Sequence, residues 1–256
     1  MRAIARFLGL LLLSALALQL AFALRIALMA VLDPQSTTFQ RSEIRRLLAE
    51  RHALRWSQDW RPYGEIADPL KRAVIAAEDA SFAEHGGIDW EALERAWERN
   101  QRAEARAAQL QSRWAARQEL RAAAGKPAGA PRGARLVGGS TITQQLAKNL
   151  FLSGERSLAR KAQEAVLTYV LEATLDKRRI LELYLNHVEW GEGVFGAQAA
   201  ARHYFRVDAD RLAPMQAARL AVMLPAPRRF EKRPASAYVS GRAATIVARM
   251  GAVELP

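Results

Sequence analysis

The strongest pattern in the chain is at its start. Arg2 and Arg6 precede an apolar run from Phe7 to Leu24 that only Ser14 and Gln19 interrupt. Arg25 then breaks the run, and Ile26 to Leu32 continues apolar. A stretch of about 18 residues is near the lower length for spanning a bilayer. Positive charge on its N-terminal side predicts a cytoplasmic N-terminus with the remainder translocated. A cleaved signal peptide, with Ala21-Phe22-Ala23 as its processing site, is the alternative. The length of the run and its resumption after Arg25 favour a retained, single-pass anchor over residues 1–33, followed by one domain over 34–256.

Past Asp33-Pro34 the apolar positions recur at helical spacing, and alternating strand-like runs are few. Ile44, Leu47 and Leu48 mark one amphipathic helix within 41–56. Asp68 is placed to cap the next helix, with Pro69 in its first turn and Leu70, Ala73, Val74 and Ala77 on its inward stripe. Thr141 and Gln144 fit a capping box. Ser157 caps a long helix with apolar positions Leu158, Ala162, Val166, Tyr169, Val170 and Ala173. Asp176 caps another, from Lys177 to Asn186, with Ile180, Leu181, Tyr184 and Leu185 inward. Gly191, Gly193 and Gly196 open a loop before Ala197–Phe205. Pro214–Leu224 and Val239–Met250 are closing helices, separated at Pro225 and Pro227. Residues 99–135 stand apart: a solvated helix rich in Arg, Ala and Gln runs into a Gly/Pro loop over 125–133. Trp56, Trp60 and Tyr63 suit either a membrane interface or a core.

Composition narrows the class. Half of the 256 residues are hydrophobic, enough for a full core, and there is no cysteine, so no disulfide or thiolate metal site exists. The formal charge of +12 and pI near 10.7 call for an anionic partner: a phospholipid surface, a nucleic acid or a phosphorylated substrate. Nucleic acid drops out, because the anchor carries the domain outside the cytoplasm and no nucleic-acid module is present.

Three constellations carry chemistry. Glu78 lies four residues after Val74, on the apolar stripe of its helix, with Asp79 beside it. A carboxylate aimed at a cleft is desolvated, and its pKa rises toward that of a general base; the plain alternative is an exposed helix-end glutamate. Gly138-Gly139-Ser140-Thr141 turns into a helix whose first turn offers free N–H groups, with Gln144, Gln145 and Lys148 close along it. That suits an anionic or sugar-bearing ligand, or simply a capped helix with a polar face. Arg160 and Glu164 form an i,i+4 pair: a surface ion pair, or a phosphate-binding cation beside a second carboxylate. The later glycines follow no strand pattern, so they are not a dinucleotide fingerprint.

Taken in order, these residues resemble the peptidoglycan glycosyltransferases, glycosyltransferase family 51. Glu78-Asp79-x-x-Phe82-x-x-His85-x-Gly87 is similar to that family's first motif and Gly139-Ser140-Thr141-Ile142-Thr143-Gln144-Gln145-x-x-Lys148-Asn149 to its second. Arg160-Lys161-x-x-Glu164 resembles the third, Ile180-Leu181-Glu182-x-Tyr184-Leu185-Asn186 the fourth, and Gly193-Val194-x-Gly196-x-x-Ala199-Ala200-x-x-x-Tyr204-Phe205 the segment after it. The resemblance spans about residues 40–250. The sequence ends soon after, without room for a transpeptidase domain, and Glu189-Trp190-Gly191-x-Gly193-Val194-Phe195-Gly196 looks like the monofunctional subgroup.

The resemblance implies a mostly α, lysozyme-like domain of two lobes. Its substrates would be lipid II and the nascent glycan chain, joined through a β-1,4 bond with inversion and release of polyprenyl diphosphate at the inner membrane. Glu78 would be the general base and Glu164 would assist at the donor. Lys148 and Arg160, with Lys161 beside them in the third motif, would neutralise the diphosphate. Ser140, Thr141, Gln144, Gln145 and Asn149 would line the donor site, and Asp79, Phe82 and His85 would shape the cleft. An inverting displacement needs such a base opposite the leaving group, and a departing diphosphate needs cations. No cofactor is required on this reading; a divalent Mg or Mn is compatible with it, although the sequence shows no metal-ligand spacing. Other cell-wall synthesis proteins are its implied partners. The segment between His85 and Gly138 is longer than the family leads one to expect, through an insertion in 99–135. A lytic enzyme of lysozyme-like fold cleaving glycan with Glu78 is the rival reading, and a non-catalytic membrane-anchored binding protein is the other.

Overall fold

The computed structural model describes residues 1–52, 54–122, 133, 138–152 and 157–256. The Gly/Pro loop expected over 125–133 lies, but for Gly133, outside the described residues. Met1–Ile88 with Thr141–Pro256 forms one compact unit, and Asp89–Ser140 a second.

The first unit begins with α1 (Arg2–Leu28), whose best window has a mean hydropathy of 2.3, long and apolar enough to cross a membrane. The described residues hold no other helix of that kind. α2 (Thr38–Arg51) starts at a capping box between Thr37 and Gln40 and stops at His52 in the left-handed region, short of the expected end at 56. α3 (Asp68–Glu78) packs against α9 (Pro214–Met223) and α11 (Ala237–Met250); α5 (Ile142–Phe151) packs against α2, α6 (Leu158–Thr174) and α7 (Lys177–His187). Leu70, Val74, Leu146, Leu150, Leu167, Leu181 and Leu220 belong to the single apolar core these helices share. Three of the four predicted caps are real: Thr141, Ser157 and Asp176 each accept a hydrogen bond from the backbone N–H three residues on.

Several expectations are corrected. Asp68 does not cap α3. Ala67 holds that place without a side-chain bond, and the Asp68 carboxylate instead meets Lys71 at 2.8 Å. Ala77 is exposed although Leu70, Ala73 and Val74 are buried, because the last turn of α3 emerges from the core. The apolar stripe read for α6 is reversed: Leu158, Val166 and Tyr169 are exposed, while Glu164, Leu167, Thr168 and Leu171 are buried. The glycine loop contains a strand pair, β2 (Glu189–Gly191) and β3 (Val194–Phe195), the latter pairing in parallel with β1 (Ser57–Gln58). Strands this short carry no periodicity to detect. Gly193 sits at φ +75°, and a Cβ there would lie 2.0 Å from the Arg55 carbonyl oxygen, so the sheet closes only around a glycine. Trp56 stacks on Phe195 at 4.5 Å between centroids and Tyr63 is buried, which selects the core reading for them. α8 (Ala197–Phe205) and the short α10 (Pro227–Phe230) complete the unit.

The second unit is dominated by α4 (Trp90–Ala122), capped by Asp89, whose carboxylate accepts from the Ala92 N–H at 2.7 Å. Exposed Glu91–Arg95 and Glu98–Arg102 pairs line it, as a solvated helix requires. The Arg/Ala/Gln segment is thus the far half of one continuous helix.

Candidate active site

Glu78 ends α3 and is only partly exposed. Its Oε2 accepts a 2.9 Å hydrogen bond from the Gln145 side-chain amide on α5, and the buried Tyr184 hydroxyl of α7 donates to the other end of that amide at 3.0 Å. Burial pushes the Glu78 pKa up; the Gln145 bond pulls it down, Asp79 pushes it up and Lys148 pulls it down, with a net rise. A rise of that kind makes a carboxylate a stronger base.

Asp79 does a different job. It is buried; its Oδ1 lies 2.8 Å from His85 Nε2, and its Oδ2 accepts from the Ile142 N–H at 3.0 Å, at the N-terminal end of α5. A carboxylate there satisfies an open helix donor and the positive end of the helix dipole. His85 Nδ1 accepts from the Gly87 N–H at 3.1 Å, which leaves the Nε2 proton for Asp79. Lys177 donates to the His85 carbonyl at 2.6 Å and lies over the ring of Phe82, which is fully buried. Asp79, Phe82 and His85 are thus held in one connected set next to Glu78 in the chain.

In the second motif, the Thr141 and Gln144 side chains are spent on the reciprocal capping box, and the Thr141 hydroxyl also donates to the Gly87 carbonyl at 2.6 Å. Both are buried, so they position α5. Gln145 holds Glu78, Lys148 is exposed and Asn149 half-buried. Ser140 is exposed and belongs to the second unit.

In the third motif, Glu164 is buried on the first turns of α6, with Arg160 at 2.8 Å and Lys161 also bonded to it. Two cations on one carboxylate leave this turn net positive. The Arg160 Nε is buried with no partner among the described residues. Burial lowers the Lys148 pKa; Glu164 raises it, Arg160 and Lys161 lower it, and Glu78 raises it. Lys148 is thus within electrostatic reach of both carboxylates. The fold gathers Glu78, Gln145, Lys148, Arg160, Lys161 and Glu164 into one charged region. Two supports escaped the sequence reading. Tyr184 stands in the fourth motif and on the inward face of its helix, with nothing in its spacing to mark the bond to Gln145, and Glu172, which accepts from Thr143 at 2.5 Å and Lys177 at 2.9 Å, has no signal in its spacing.

A desolvated carboxylate beside a cluster of cations is an arrangement suited to acid–base chemistry on an anionic substrate. Residues 45–109 and 118–251 match the transglycosylase family, and the chain belongs to it. Over 241 residues it is 48% identical to the biosynthetic peptidoglycan transglycosylase of Burkholderia pseudomallei, covering 94% of this chain and 83% of that protein. Identity is 47% to the enzyme of that name in Burkholderia vietnamiensis (94% and 86% covered) and 46% to the one in Herminiimonas arsenicoxydans (94% and 92%). The family match breaks only at 110–117, within α4.

Proposed function

We propose that this protein polymerises lipid II into β-1,4-linked glycan strands, with the anchor crossing the inner membrane once, its N-terminus cytoplasmic and the enzyme on the outer face. The acceptor 4-hydroxyl attacks C1 of the donor chain while Glu78 takes its proton. The bond from C1 to the polyprenyl diphosphate breaks with inversion, and the bonding pair leaves on the diphosphate. Lys148, Arg160 and Lys161 offset the charge gathering there, and the free Arg160 Nε–H is a donor ready for a phosphate oxygen. Glu164 holds the two cations in place. Gln145 orients the base, and Asn149 is left as polar lining for sugar or phosphate. No step is routed through a divalent ion, because the Glu164 oxygens are met by Arg160 and Lys161 and the Glu78 Oε2 by Gln145.

The observation that carries this reading is the Glu164 carboxylate bonded to both Arg160 and Lys161, with the Arg160 Nε unpartnered among the described residues, in the same unit as Glu78 bonded to Gln145. A lytic enzyme has no use for that diphosphate site. The test is labelled lipid II with the detergent-solubilised full chain, wild type beside Glu78→Gln, products resolved by length. Polymer is expected from wild type alone, with the variant melting as the wild type does. Near-normal turnover by Glu78→Gln would overturn the base, and shortening of preformed glycan without polymer would favour the lytic reading.

A further inference from the structure

The apolar N-terminal helix changes character at Gln19. Residues 1–18 are exposed on every side, whereas Gln19, Phe22, Ala23, Ile26 and Met29 turn one face inward, with Ile26 and Met29 buried in the core of the folded unit. Phe22 meets Phe151 edge-on at 5.3 Å between centroids. Arg179, in the first turn of α7, donates to the carbonyl of Met29 at 2.7 Å and to that of Leu32 at 3.1 Å. The anchor therefore docks on the domain along its last turns and runs parallel to α6. The most distant polar contact of this docking is an amide pair. Gln19 Nε2 donates to Gln163 Oε1 at 2.8 Å, and Gln163 Nε2 returns the bond to Gln19 Oε1 at 3.0 Å.

Gln19 comes twelve residues after Phe7, near the outer end of the apolar run that closes at Leu24, so the pair and the start of α6 lie toward the outer side of the span. Leu158, Val166 and Tyr169 are exposed apolar side chains of α6 on that side.

We propose that Gln19 and Gln163 are positioning residues: their reciprocal amide pair fixes the register and rotation of α6 against the anchor, so that Arg160 and Lys161 on its first turns meet the diphosphate of a substrate held in the membrane by its lipid tail. An amide in hydrocarbon is costly unless its hydrogen bonds are made, which gives the pair one register. Gln163 lies between Lys161 and Glu164, so a turn of α6 moves all of them together. This rests on the lipid II reading, and the test separates the two.

The full chain has no cysteine, so Gln19→Cys with Gln163→Cys gives a unique thiol pair. In membranes, a short bis-maleimide cross-linker, which alkylates both thiols, is expected to join the two within one chain, and a pair moved to Leu13 and Gln163 is not. Separately, Gln19→Leu and Gln163→Leu in proteoliposomes are expected to raise KM for full-length lipid II about three- to tenfold with kcat little changed. Use of a short-chain, detergent-soluble analogue by the same variants should match wild type. The double variant should cost less than the sum of the two, because no amide is left unpaired. No cross-link at 19–163, or equal losses on both substrates, would overturn the positioning role. Wild-type protein that makes no polymer would defeat the lipid II reading instead, with the cross-link still deciding the docking.

Discussion

Replacing Gln145 with Met tests how the base is tuned. The change keeps the volume and removes the 2.9 Å hydrogen bond that Glu78 Oε2 accepts. That bond opposes the rise in pKa that burial imposes on Glu78. A hydrogen bond to a charged group contributes about 1.5–3 kcal/mol, and one pKa unit corresponds to about 1.36 kcal/mol. Because Glu78 is partly exposed, water recovers some of the loss, and the lower end applies. Losing the bond is expected to disfavour the Glu78 carboxylate by about 1.5 kcal/mol, so its pKa climbs further. A base acts as the carboxylate, so the acid limb of kcat/KM should move up in pH while the plateau falls less. The assay is the rate of lipid II consumption from pH 5 to 9. Tyr184→Phe is the companion variant: it removes the 3.0 Å bond on the other end of the amide and leaves Glu78 bonded, so its limb should shift less. An acid limb identical in wild type and Gln145→Met would refute the idea that this amide tunes the base.

Lys148→Ala should lower kcat/KM for lipid II about 100-fold with folding intact, since one charge-stabilising donor is lost from an exposed side chain; unchanged kinetics would remove Lys148 from the diphosphate site. Gly193→Ala should cost about 2–6 kcal/mol through left-handed strain and overpacking against Arg55, read as a loss of melting temperature in detergent. Glu189 is buried beside Arg228, and burial lifts its pKa from 4.5 to about 7 against the pull of Arg228. Folding thus favours its neutral form, so its stability contribution is present below about pH 4.5 and lost as pH rises through about 7. Glu189→Gln should flatten the fall in thermal stability over that window, and equal slopes in both proteins would contradict it.

The sequence by itself determined what is local. Thr141, Ser157 and Asp176 cap their helices because a short polar side chain needs only the next three residues to do so. The inward set Ile180, Leu181, Tyr184 and Leu185 follows from helical period alone, and each is buried. The motif residues could be picked out in order because each motif is short and contiguous.

What tertiary structure decided is which polar groups meet across the chain. Asp68 has cap chemistry, yet Lys71 takes its carboxylate. Thr141 and Gln144 look available for a ligand and are instead bonded to each other. Gln145 finds Glu78 67 positions away, and Asp79 finds the Ile142 N–H 63 positions away, pairings that no local period encodes. The reversal of α6 has the same root. Hydrophobic spacing marks an apolar face but not the medium it faces, and on α6 the core took the stripe bearing Glu164 and Thr168 while Leu158, Val166 and Tyr169 were left outside. Spacing is a property of one helix; burial is a property of everything packed around it.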